Sequence, residues 1–151
     1  MNIDLKKVLP NDPSSFNGHR AIRIASGLFL LLTIVRSCIH LFSSDGGANS
    51  IAGIDLSVEG GDNIVAIFHQ WGATQLLLAL FLVLLFFRYP GLTPLILLSL
   101  AMDPVVRAIA GQFKAVTAAG TPPGESLNWV AFYVISVLFI ASLVEKKSKK
   151  D

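Results

Sequence analysis

The sequence is poor in the residues on which soluble chemistry relies. Only 15% of its 151 residues are charged, against about 25% in an ordinary soluble domain. It has a single cysteine, Cys38, so no internal disulfide can form, and neither a Cys-x-x-Cys pair nor a Cys/His zinc spacing is present. Cys38 lies inside an apolar run and reads as a small buried hydrophobe. A nucleophile elbow, a glycine-rich phosphate loop and a His-Glu-x-x-His motif are also missing. These gaps leave no catalytic set, no cofactor and no metal ligands to name, and they lean away from an enzyme. A secretory signal peptide does not fit either. The region before the first apolar run is long, and the run itself has full spanning length.

What the chain has instead is apolar residues gathered in blocks. It is 53% hydrophobic with a mean hydropathy of +0.65. Four blocks read as membrane spans, at about 21–42, 64–87, 92–111 and 128–144. A helix over 21–42 would rise about 33 Å, close to a hydrocarbon core of about 30 Å. The expected fold is all-α: an integral membrane bundle of four transmembrane helices over 21–144. An N-terminal segment, 1–20, precedes it and a basic tail, 145–151, follows. Ile3, Leu5, Val8 and Leu9 suit a short interfacial turn, with a frayed tail as the equal alternative. Asp62 or Asn63, Thr93 and Ser126 are the expected helix caps, with Pro94 in the first turn of the third helix. Trp129 and Tyr133 suit an aromatic belt at the start of the fourth.

Charge orients this bundle. With four spans, Lys6, Lys7, Arg20, Arg23, Arg88, Lys146, Lys147, Lys149 and Lys150 share one side. The opposite loops hold only Lys114 among the basic residues, together with Asp45, Asp55, Glu59, Asp62 and Glu125. The positive-inside rule then places both termini in the cytoplasm. The expected location is the inner (plasma) membrane, crossed several times. The tail is short and lacks interleaved aromatics, so its expected contact is anionic membrane lipid and not nucleic acid.

Orientation also fixes depth. Asp103 and Arg107 are four apart in the third span, beside Pro104, and Arg36 and His40 are four apart in the first, so each pair shares a helix face. At 1.5 Å per residue Arg36, His40, His69, Gln70, Asp103 and Arg107 all fall within about 12 Å of the outer membrane face. The inner half is filled by runs such as 76–87. Polar residues at one depth should turn inward, because lipid exposure costs several kcal/mol. Three readings of this cluster compete. It could be a structural lock that fixes helix register. It could be a pocket in which the arginines meet an anionic or carbonyl group of a ligand or lipid. Or His40, His69 and Asp103 could hold a metal or carry catalysis, against which the two arginines would repel a cation.

Two stretches, GGDNIVAIFHQWGATQLLLALFLVLLFF and DPVVRAIAGQFKAVTAAGTPPG, resemble the small four-helix bacterial membrane proteins grouped as the DUF4345 family. The polar start of the second span (Asn63–Gln75), Arg107 near the end of the third and the Gly/Pro loop Gly120–Gly124 carry the likeness. This sequence has HQWG where that family more often shows an aromatic followed by paired glycines. The resemblance implies a four-helix bundle and no particular activity. The expected function is a non-enzymatic accessory or scaffold subunit of a larger membrane complex, or a homo-oligomer. The alternative is a lipid- or ligand-binding protein using Arg36, His40, His69, Gln70, Asp103 and Arg107, or, further off, an enzyme acting on a lipid-soluble substrate.

Overall fold

The computed structural model describes residues 3–144 and is helical. The expected basic tail, 145–151, lies outside the described residues. The helices are α1 (Arg20–Phe42), α2 (Gly61–Arg88), α3 (Thr93–Phe113), a single turn α4 (Pro123–Ser126) and α5 (Asn128–Ser142). Three segments, Arg20–Phe42, Gly61–Arg88 and Pro90–Phe113, are long and apolar enough to cross a membrane. The fourth helix is not: α5 has 15 residues, about 22 Å at 1.5 Å per residue.

The helices pair as two hairpins, α1 with α2 and α3 with α5, and α1 and α3 form the principal seam between them. At one end the seam is apolar. Ile22 and Leu30 of α1, Leu82 and Phe86 of α2, Ile96, Leu97, Leu100 and Ala101 of α3 and Ile135 of α5 form one cluster. Ile96 and Leu97 have no exposed surface at all. The faces turned away from this seam are equally apolar. Leu28, Leu31 and Leu32 of α1, Leu77, Phe81, Leu84 and Phe87 of α2 and Val130, Tyr133 and Val137 of α5 are each more than half exposed. Helices that are apolar on every side are the mark of a membrane span. Hydroxyls within the helices are satisfied by their own backbone: Ser26, Thr33, Ser37 and Ser99 each donate to the carbonyl four residues earlier. Such bonds need no water.

The N-terminal segment lies across the same end of the bundle as the apolar cluster. Leu5–Val8 forms one short 3-10 turn, capped by Asp4, whose carboxylate accepts from the Lys6 backbone N–H at 3.0 Å. Two backbone bonds tie the segment down. Asp4 donates to the Leu143 carbonyl (3.2 Å), and Gly91 donates to the Pro13 carbonyl (2.8 Å). A Cβ on Gly91 would stand 2.8 Å from the Ser15 carbonyl oxygen, so only glycine admits the segment against the α2–α3 turn. Ile3 also bridges Val144, so the two ends of the described chain meet.

The caps differ from expectation. α2 starts at Gly61 behind Gly60, whose φ of +83° closes the preceding loop, and Asp62 sits in the first turn instead of at the cap. A carboxylate there still meets the positive end of the helix dipole. Thr93 is the first residue of α3, and its hydroxyl donates back to Pro90. Ser126 closes α4 and bonds Pro123, so Leu127 precedes α5 without a side-chain cap.

Candidate functional site

At the other end of the seam the contact is polar. Asp103 and Arg107 lie one turn apart on α3, and Arg36 approaches them from α1. Asp103 Oδ2 stands 3.2 Å from Arg107 Nε and 3.5 Å from Arg36 Nη2. The Arg107 contact lacks hydrogen-bond alignment, so its attraction is chiefly Coulombic. One carboxylate thus bridges two guanidinium groups across the hairpins. The three side chains are 31%, 41% and 28% exposed for Arg36, Asp103 and Arg107. They form a half-open edge of the seam and not a sealed core.

Each arginine is also held by neutral groups. Arg107 donates from Nη2 to the Asn128 side-chain oxygen (2.7 Å) and from Nη1 to the Gly124 carbonyl (3.3 Å). Asn128 donates in turn to the Pro104 carbonyl (2.9 Å). Pro104 lies inside α3, which continues through it, although proline offers no N–H to the Leu100 carbonyl. Asn128 therefore knits the start of α5 to the middle of α3. Arg36 is held from α2. With its amide oriented to satisfy both donors, Gln75 accepts from Arg36 Nη2 and from Trp71 Nε1, each at 3.0 Å. The Arg36 guanidinium also lies 5.8 Å from the Trp71 ring centre, within cation–π range.

The two histidines stand beside this cluster and face the loops. His40 is buried, donates from Nδ1 to the Gly46 carbonyl at 2.7 Å, and packs on Trp71 with ring centres 4.6 Å apart. His69 donates from Nδ1 to the Leu41 carbonyl at 2.8 Å. Leu41 is in the last turn of α1, where carbonyls lack helical partners, so His69 closes that helix end. The approach depends on Gly72. A Cβ there would lie 2.6 Å from the Leu41 nitrogen and 2.7 Å from the His40 carbonyl carbon.

Of the six residues expected to form one site, Arg36, Asp103 and Arg107 are brought together. His40 and His69 are joined to backbone carbonyls one layer nearer the loops. Gln70 is exposed on α2, and its backbone carbonyl accepts from Thr74. Among the described residues no group of three or more His, Cys, Asp or Glu side chains could hold a metal ion. Three residues complete the cluster beyond the expected six: Gln75, Trp71 and Asn128. Gln75 was legible as the residue one turn beyond Trp71 in the polar half of α2, and Asn128 as the sole amide at the start of α5.

The loops above the cluster are ordered by local bonds. Asp45 accepts from the backbone N–H groups of Gly47, Asn49 and Ser50 and from the Ser50 hydroxyl. The Ser50 backbone bond above all lowers its carboxyl from the usual 3.8 to about 2. Ala119 donates to the Gly53 carbonyl at 2.9 Å, so the two loops touch. No protein-family model, curated protein or solved structure matches the chain.

Proposed function

We propose that the chain is a four-helix protein of a bacterial inner membrane, allied to the DUF4345 group. Both termini lie in the cytoplasm, and the protein works as a non-enzymatic accessory or scaffold subunit of a larger membrane complex. The observation that carries this reading is the use made of the polar residues. Arg36, Asp103, Arg107, Gln75 and Asn128 bind one another across helices, and both histidines bind backbone. A bundle locked in this way, with apolar faces turned outward, suits lateral assembly better than turnover. A fourth pass is supported by the helical continuity of α4, Leu127 and α5. Leu127 has α-helical angles, its N–H donates to Pro123, and Ala131 donates to it. Together 123–142 would reach about 30 Å.

Crosslinking in native membranes followed by purification tests the assembly. A discrete larger species is expected, and recovery of a lone monomer would contradict the reading. Orientation is tested separately in a Cys38→Ser background. Thr121→Cys should react with an impermeant thiol reagent in intact cells, and Asn11→Cys only after permeabilisation. The reverse pattern would overturn the cytoplasmic placement.

A further inference from the structure

The charges of the cluster do not cancel. Arg36 and Arg107 bring two positive charges and Asp103 one negative, and among the described residues no other ion pair is formed. Within a membrane an excess charge is costly unless something neutralises it. The two arginines are not equally engaged. Arg107 donates to Gly124 and Asn128 and lies against Asp103. Arg36 has five N–H donors but makes its contacts through Nη2 alone, to Gln75 and, at 3.5 Å, to Asp103. Its Nε is buried without a hydrogen-bond partner, as is that of Arg107, but 31% of the Arg36 side chain remains exposed, and its Nη1 is neither buried nor bonded. The open edge of Arg36 lies about 9 Å from the end of α1, where a long side chain can meet a lipid headgroup drawn slightly inward.

We infer that Arg36, at the half-open edge between α1 and α3, binds the singly charged oxyanion of a membrane lipid. The inference rests on the membrane placement above but not on the accessory role. One negative charge on the lipid matches the one positive charge left over in the cluster. A phosphodiester or a carboxylate oxygen can each accept a charge-assisted hydrogen bond from the open Nη1. Asp103 competes for the same cation and keeps the interaction reversible. Trp71, whose N–H shares the Gln75 oxygen with Arg36, stands beside the bound headgroup.

Trp71 supplies the test, since Trp129 is the only other tryptophan. The full chain carrying Trp129→Phe is placed in phosphatidylcholine nanodiscs, and brominated lipids are used to quench Trp71. Brominated phosphatidylglycerol should saturate the quenching at a mole fraction on the order of tenfold lower than brominated phosphatidylcholine. Brominated stearate measures the carboxylate, and whichever anionic lipid saturates first identifies the source. Arg36→Gln should abolish the preference for anionic lipid, and Asp103→Asn should strengthen it. Arg36→Lys, which keeps the charge without the fork, should retain part of it if Arg36→Gln fails to fold by circular dichroism. Equal quenching by charged and zwitterionic lipids, or a preference that survives Arg36→Gln, would overturn the site. Absence of quenching by any lipid would overturn the membrane placement, and the site with it.

Discussion

The two ends of the α1–α3 seam are held by different physics. At the end under the N-terminal segment, Ile22, Leu30, Ile96, Leu97, Leu100 and Ile135 interlock, and the buried Ser26 hydroxyl on the same face of α1 is turned back to the Ile22 carbonyl. At the loop end, one carboxylate, two guanidinium groups and two amides span the same seam. In a bilayer, association of apolar helices gains little from the hydrophobic effect, because lipid tails are as apolar as leucine. Close packing then supplies adhesion at the first end, while the charges supply adhesion and register at the second. A carboxylate shared by two arginines is satisfied in one alignment of the helices, whereas leucines tolerate sliding.

Substitutions should separate these contributions. Leu97→Ala opens a cavity at a fully buried position and should cost about 3 kcal/mol in a reversible unfolding titration. It should leave helix register unchanged, as read by crosslinks between α1 and α3. Asp103→Asn should cost about 2 kcal/mol, less than a fully buried pair because these side chains are partly exposed. Unlike Leu97→Ala it should disturb those crosslinks. Gly91→Ala should cost about 1 kcal/mol by lifting the N-terminal segment, with proteolysis near Pro13 as the readout. The smallest effect concerns the loop above the cluster. The Asp45 carboxyl is lowered in the folded chain, so its contribution is complete above about pH 4 and is lost as pH falls toward 2. Protection of the Gly47 and Ser50 amides, relative to free-peptide exchange at the same pH, should fall over that interval, and Asp45→Asn should remove this change in protection.

Much of the polar end was legible because helical periodicity is strict. Asp103 and Arg107 could only share a face, and the depth of Arg36 brought it to the same level. The histidines take backbone partners for a local reason. His69 serves the open C-terminal carbonyl of α1, and His40 the glycine loop, and neither demand shows in residue spacing. Gln75 and Asn128 were legible as polar residues at the same depth, but their pairing with the arginines depends on the close approach of helices, which Gly72 permits for α1 and α2. The packing of the N-terminal segment on Gly91 is likewise a tertiary fact. The spans were read from their apolar blocks, but the last proved shorter than expected, because regular α5 ends at Ser142 while apolar Leu143 and Val144 continue beyond it.

The Arg36–Asp103 contact couples the two hairpins. A double-mutant cycle with Arg36→Gln and Asp103→Asn, followed by unfolding in mixed micelles, measures that coupling directly. The double variant should be more stable than the sum of the single losses implies, by about 1 kcal/mol or more. Losses that add to within about 0.3 kcal/mol would show that the two residues act independently, and would contradict that coupling.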